Sequence, residues 1–455
     1  RVGTEPTMRF EAIAAFALGD LAIPENALDI AATLLIDTVG VAAGASDLEV
    51  AHIARDHACA FHAAGAPEHS ASLLFDGRKA SIPGAAFATA TQIDNLDAHD
   101  GFNPTKGHIG CAVVPALFAF AAAQPNLLGR DALAAMVMSY EIAARAGIAL
   151  HASVSDYHTS GAWNALGVAA LACRLRGATP DQLRHAFGIA EYHGPRSQMM
   201  REIANPTMLH DGSGMGALVG ATAALTAMQG FTGAPALTVE DQDAARHWDD
   251  LGTRWTIAEN YIKPYPICRW AHAALDAVIR LISEHDFKAK DVARVEVNTF
   301  AESAALFPGI PTTTSQAQYS LPFALAALLV HGKISPNEIT DAGLTDPNVA
   351  ALVPRITVQE DARYSDRFPA GRWSDVTIEL HNGTRLASGE TNARGGPEAP
   401  MAMQEVEAKF LVMAAALPEP RRKRIWTMRD RLLEPDATFE ELAQVVRPSI
   451  ERSHA

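Results

Sequence analysis

The stretch DNLDAHDGFNPTKGHIG, Asp94 to Gly110, places three carboxylates (Asp94, Asp97 and Asp100) and the amide Asn95 beside His99, Lys106 and His108. It lies between two strongly apolar, alanine-rich patterns of helical spacing. Gly101, Asn103 and Pro104 at its centre forbid a continuous helix, so the spacing predicts two buried helices joined by an irregular polar loop. Loops held by rigid helices are where reactive side chains concentrate. The alternative is a solvated acidic loop with no chemistry, which the apolar flanks argue against.

Outward from that loop the pattern remains helical. Residues 30–39, 130–148, 161–175 and 216–228 carry apolar residues at helical spacing, and Gly177 and Gly230 stand at two of their ends. Glu141 and Arg145 stand four apart, the spacing of a helical ion pair. Alanine-rich sequence loses little side-chain entropy in a helix, and the many small residues predict close helix–helix contacts. After about residue 266 the period changes. ARVEVNTF (293–300) and VTIEL (376–380) alternate as half-buried strands do, and Asn382-Gly383 before a further short run predicts a hairpin. Helices are expected at 271–285 and 320–332, and again from Met403. The expected fold is mainly α. A large all-helical domain spans 1–267 and is completed by 405–455, and a smaller α+β domain spans 268–404. A chain of 455 residues exceeds one ordinary core.

Composition narrows the function. A net charge of −15 argues against nucleic acid or an anionic membrane as partner. The most apolar run, 110–123, is broken by Pro115 and falls short of the ~20 residues of a membrane span. The 4 cysteines are dispersed without ligand spacing, which predicts a reduced, cytoplasmic protein with neither a disulfide framework nor a zinc site. No basic segment followed by an apolar one opens the chain, so no signal peptide is expected. Neither a Walker loop nor a GxGxxG after a strand occurs, so no nucleotide cofactor is expected.

Three further polar breaks interrupt apolar surroundings. DYHTSG (156–161) puts Tyr157 and His158 before a helix, where a neutral imidazole or an anion is favoured. It reads equally as a capping segment. KPYPICRWAH (263–272) brackets a proline-stiffened turn with Lys263, Arg269 and His272, and the alternative there is an exposed linker. SGETNARGGP (388–397) offers Arg394 beside two glycines, suited to gripping a carboxylate and equally to an ordinary turn. So many cations in the motif-like breaks of an acidic protein suggest a small anionic substrate.

With these motifs in hand, the whole chain resembles the MmgE/PrpD family, which includes 2-methylcitrate dehydratase, cis-aconitate decarboxylase and iminodisuccinate epimerase. The matching pieces are LLIDTVG (34–40), HIGCAVVP (108–115) behind its aspartate-rich loop, Tyr157-His158, KPYPIC (263–268) with His272, SLPF (320–323) and Lys409-Phe410. The resemblance implies an all-helical domain, an α+β lid and an active site between them. It carries over Asp100, His108, His158, Lys263 and His272 as catalytic candidates; the polar breaks themselves offer Asp97, His99, Lys106, Tyr157, Arg269 and Arg394 as candidates for holding substrate. The resemblance implies no metal, no cofactor and a homodimer. Thr207 stands where a lysine is expected and Phe323 where a tyrosine is expected, which weighs against decarboxylation. The 97–108 variant and MLHDG (208–212) resemble the epimerase branch. The expected function is therefore epimerisation of an iminodisuccinate-like dicarboxylate by proton abstraction alpha to a carboxylate. The alternatives are a hydro-lyase, a decarboxylase of a related tricarboxylate, or a non-catalytic dicarboxylate-binding protein.

Overall fold

A computed structural model describes residue 3 and residues 5–450. Its larger part is a stack of apolar helices, among them Glu25–Ala45, Ile82–Asp94, Gly110–Ala121, Gly129–Ser153, Gly161–Arg176 and Ser213–Met228. Small residues set the spacing. A Cβ at Gly220 would come within 2.4 Å of the Ala165 carbonyl, and one at Gly216 within 2.8 Å of the Gly161 Cα. The helices Gly161–Arg176 and Ser213–Met228 can approach this closely only because those positions lack side chains. Two helices, Glu25–Ala45 and Gly129–Ser153, are long and apolar enough to cross a membrane, but 83% and 89% of their apolar windows are buried within the fold. They are core helices.

The Glu141–Arg145 pair forms inside the core at 2.6 Å. The Glu141 carboxylate also accepts from the Thr256 and Ile257 backbone N–H groups, at 3.0 and 2.9 Å. A charge at this depth is tolerable because it is paired and both carboxylate oxygens accept hydrogen bonds.

The smaller part carries a five-stranded sheet. Strand Val292–Thr299 lies between Ile356–Glu360, parallel to it, and Trp373–Leu380, antiparallel to it. Trp373–Leu380 then pairs with Arg385–Ala387 across the Asn382-Gly383 turn, with Gly383 at φ +85°. Helices His272–Glu284 and Leu321–His331 cover the sheet. The fold is thus mainly α with a smaller α+β part, as the periodicities predict.

From Met403 the chain returns to the helical part, where Met403–Met413 and Glu419–Arg431 pack on Glu25–Ala45. Here LLIDTVG and Lys409-Phe410 prove to be two halves of one contact. Lys409 pairs with Asp37 at 2.8 Å, and a Cβ at Gly40 would strike the Phe410 ring at 2.6 Å. Lys409 Nζ also donates to the Ala98 carbonyl at 2.7 Å, so this closure holds the 94–110 loop in place.

Candidate active site

Helix Ile82–Asp94 ends where the polar loop begins, and the loop then forms a two-residue strand, Gly101–Phe102, paired antiparallel with Asn260–Tyr261. That short ladder brings Lys263 to the loop. Gly101 is obligatory here, because a Cβ would lie 2.2 Å from the Tyr261 hydroxyl and 2.9 Å from His108 Nδ1. Asp97 and Lys106 adopt left-handed backbone conformations, with φ of +57° and +53°. Such strain in non-glycine residues persists where the surroundings over-determine it, as at functional sites.

His108 is held on three sides. Its Nδ1–H donates to the Asp100 carbonyl at 2.7 Å, its backbone N–H donates to Ser160 Oγ at 3.0 Å, and its carbonyl accepts from Asn164 at 3.2 Å. With Nδ1 committed as donor, Nε2 carries the free lone pair. Burial, reinforced by the nearby Lys263 charge, pushes the imidazole down to about 4, so it is a neutral base at pH 7. Opposite it, the Lys263 ammonium donates to the Asp97 carboxylate and to the Asp97 carbonyl at 3.0 Å. Burial alone would discharge this lysine, but Asp97 more than offsets that and keeps it protonated. A neutral base and a charged acid thus line one chamber.

The chamber they line is also walled by Lys106, Tyr157, Met199, Asp211, Tyr261, Arg269, Tyr319 and Arg372. Arg269 stacks on the Tyr261 ring at 4.1 Å and donates to the Arg394 carbonyl at 2.6 Å. Lys106 lies over the Tyr157 ring at 4.6 Å. Among the described residues, no carboxylate lies within ion-pair distance of Lys106, Arg269 or Arg372. The Nε atoms of Arg269 and Arg372 are buried without a hydrogen-bond partner. Buried donors without partners are costly, and a substrate carboxylate would satisfy them. The chamber is small, about 20 Å³, and beyond Met199 it abuts a largely apolar cleft of about 460 Å³.

The structure brings His108, Lys263, Asp97, Lys106, Tyr157 and Arg269 to this chamber and places five other candidates elsewhere. Asp100 lies behind it, accepting from Tyr140 at 2.9 Å, and burial raises its carboxyl to about 7. Its contribution is the carbonyl that orients His108. His99 is fully buried beside His108, with ring centroids 4.4 Å apart. His158 stacks on His151 outside the chamber wall. His272 points inward, with Nε2 on the Ile267 carbonyl at 2.8 Å, so it backs Arg269 and does not face the cavity. Arg394 does not grip a substrate here, because its guanidinium is held by Asp276 and Glu405 at 3.5 and 2.7 Å.

Two further expectations need correction. Phe323 is buried in the helix Leu321–His331, yet the chamber does not lack a phenol, since Tyr157, Tyr261 and Tyr319 all line it. Thr207 lies on the outer cleft, and Arg372 supplies an inner cation instead. Arg372 stands one residue before a strand in a position no local pattern marks. Asp211 had a signal, the Asp-Gly pair of MLHDG, where His210 and Gly212 both take positive φ.

Donor atoms of Asp97, His99, His108 and Asp211 lie within 4.8 Å of one another, a set that could ligate a divalent ion. The Lys263 ammonium sits on Asp97 Oδ1, so an ion on the other oxygen of that carboxylate would meet a like charge beside it. The donor set therefore fits a metal poorly.

The chain is 22% identical over 425 residues to a cis-aconitate decarboxylase-like protein of Aspergillus oryzae, covering 84% of this chain and 85% of that one. It is 22% identical over 385 residues to a cis-aconitate decarboxylase of Aspergillus terreus, covering 75% and 76%. The MmgE/PrpD N-terminal domain matches residues 12–248 and the C-terminal domain residues 265–434, so the chain belongs to the MmgE/PrpD family.

Proposed function

We propose that this protein is a cofactor-free enzyme that removes a proton alpha to a carboxylate of a small di- or tricarboxylate. The observation that carries this reading is the oriented, neutral His108 Nε2 facing a buried chamber with unpaired arginine donors. Removing such a proton drives charge onto the carboxylate oxygens. Arg269, Arg372 and Lys106 are placed to stabilise that charge as it develops, while His108 takes the proton. Substrate binding widens the chamber, since about 20 Å³ admits little more than a water.

The finer reading is epimerisation of an iminodisuccinate-like dicarboxylate, with Lys263 as the acid that returns a proton from the other side of the carbon. The 97–108 loop supports it. The lyase reading is favoured by a different observation. Tyrosines line the chamber, and Tyr157 or Tyr261 could protonate a departing hydroxide or a decarboxylated carbon, while the Tyr319 hydroxyl donates to Glu202; both fungal relatives carry decarboxylase names. Incubation of single stereoisomers of iminodisuccinate-type and citrate-type acids in deuterium oxide separates the readings. Inverted isomer labelled at the alpha carbon is expected for an epimerase, and an unsaturated acid or carbon dioxide without inversion would leave the lyase. Turnover is expected to survive exhaustive chelation. Absence of any isotope exchange across the panel would contradict both.

We further propose a homodimer built by the helical part. Exposed apolar side chains such as Phe61, Tyr192 and Leu209 on that part motivate it. Sedimentation at micromolar concentration is expected to give twice the chain mass, and a monomer would count against it.

A further inference from the structure

Asp211 is built into the chamber with unusual care. The residues on either side of it, His210 and Gly212, have φ of +42° and +67°. The Asp211 carbonyl accepts from the Gly161 N–H at 3.0 Å, and its carboxylate accepts from Ser160 Oγ at 3.3 Å. Ser160 is the same hydroxyl that accepts from the His108 backbone, so one side chain sets the positions of both residues. As a result Asp211 Oδ2 stands 3.5 Å from His108 Nε2, the atom assigned above as the base. A strained non-glycine residue beside a buried carboxylate is a pattern of functional sites, and a structural aspartate could have satisfied Ser160 without it.

We propose that Asp211 is the relay that receives the abstracted proton from His108. This rests on His108 being the base. The substrate Cα–H bond breaks, its electron pair stays on the substrate as an enolate, and the proton passes to His108 Nε2 and on to Asp211 Oδ2. Lys263 returns a proton to the carbon, the His108–Asp211 path delivers one in the reverse reaction, and no electron is gained or lost.

The surroundings allow the carboxylate to hold that proton. Burial raises Asp211 to about 6, partly offset by Lys263, whereas His108 lies near 4, so transfer from imidazolium to carboxylate runs downhill. The groups facing Asp211 come from several elements. Asp94 at the end of its helix hydrogen-bonds to it, His99 Nε2 is 3.9 Å away, and Asp97, Lys263 and Glu202 act on it through space together with the chamber tyrosines. Asp94 is also buried, and burial together with the Asp211 charge drives its carboxyl well up.

The test reads the His108 ring directly. In the full protein carrying ring-labelled histidine, the His108 resonance, assigned with His108→Gln, is expected to move with a midpoint near pH 6. That step should vanish in Asp211→Asn. In the exchange assay the acid limb near pH 6 should fall towards 4 in Asp211→Asn, with turnover lower by roughly 10–100-fold. An unchanged step in Asp211→Asn, or none between pH 5 and 7 in the wild type, would overturn the relay. Absence of exchange by the wild type would instead overturn the enzymatic reading, and the ring titration would still decide the coupling of Asp211 to His108.

Discussion

Lys263→Met is expected to cost stability and turnover together. Lys263 is fully buried, and its Nζ contacts both the carboxylate and the carbonyl of Asp97. Removing it strands a carboxylate that is only 2% exposed, with Oδ2 already lacking a partner. Breaking a buried pair on one side costs about 3–5 kcal/mol, far more than an exposed pair is worth. Chemical denaturation should show that loss, and the double variant Lys263→Met/Asp97→Asn should recover most of it, because no uncompensated charge remains. Turnover should not recover. The double variant still lacks the ammonium that completes the charge complement of the chamber, and loss of one such donor costs roughly 10²–10³-fold. Restored turnover in the double variant would show that Lys263 is only a structural counter-ion.

The architecture was largely legible because it rests on period. Helical spacing in alanine-rich sequence, alternation in 293–300 and 376–380, and Asn382-Gly383 between strands are all local patterns with direct physical causes. The 94–110 loop was legible as a site for a similar reason. Gly101 and Pro104 stop a helix, and polar groups trapped between buried helices need a purpose.

What the sequence could not supply was direction. KPYPICRWAH announces a cation cluster, yet nothing local says that Lys263 and Arg269 face the chamber while the His272 ring turns onto the Ile267 carbonyl. Arg394 reads like a carboxylate clamp until Asp276, over a hundred residues earlier, arrives to neutralise it. Arg372 and Tyr261 reach the chamber through pairings between distant segments. Lys409-Phe410 illustrates the converse case. Its charge and ring invite a functional reading, but they lock the tail onto Asp37 and Gly40, and their influence on the site runs through the Ala98 carbonyl.

His108→Gln is expected to have the largest effect on chemistry. Glutamine can keep a donor near the Asp100 carbonyl but offers no basic lone pair at the Nε2 position, so binding should persist while proton abstraction fails. The wild-type imidazole stays neutral down to about pH 4, so lowering the pH to 5 should not by itself protonate the base. The most direct measurement is the rate at which the substrate alpha proton exchanges with deuterium oxide, compared between wild type and His108→Gln at saturating substrate. Abstraction by His108 predicts a fall of roughly 10²–10⁴-fold in exchange with little change in the dissociation constant of the same acid. Exchange that persists within a few-fold of wild type in His108→Gln would show that another group takes the proton.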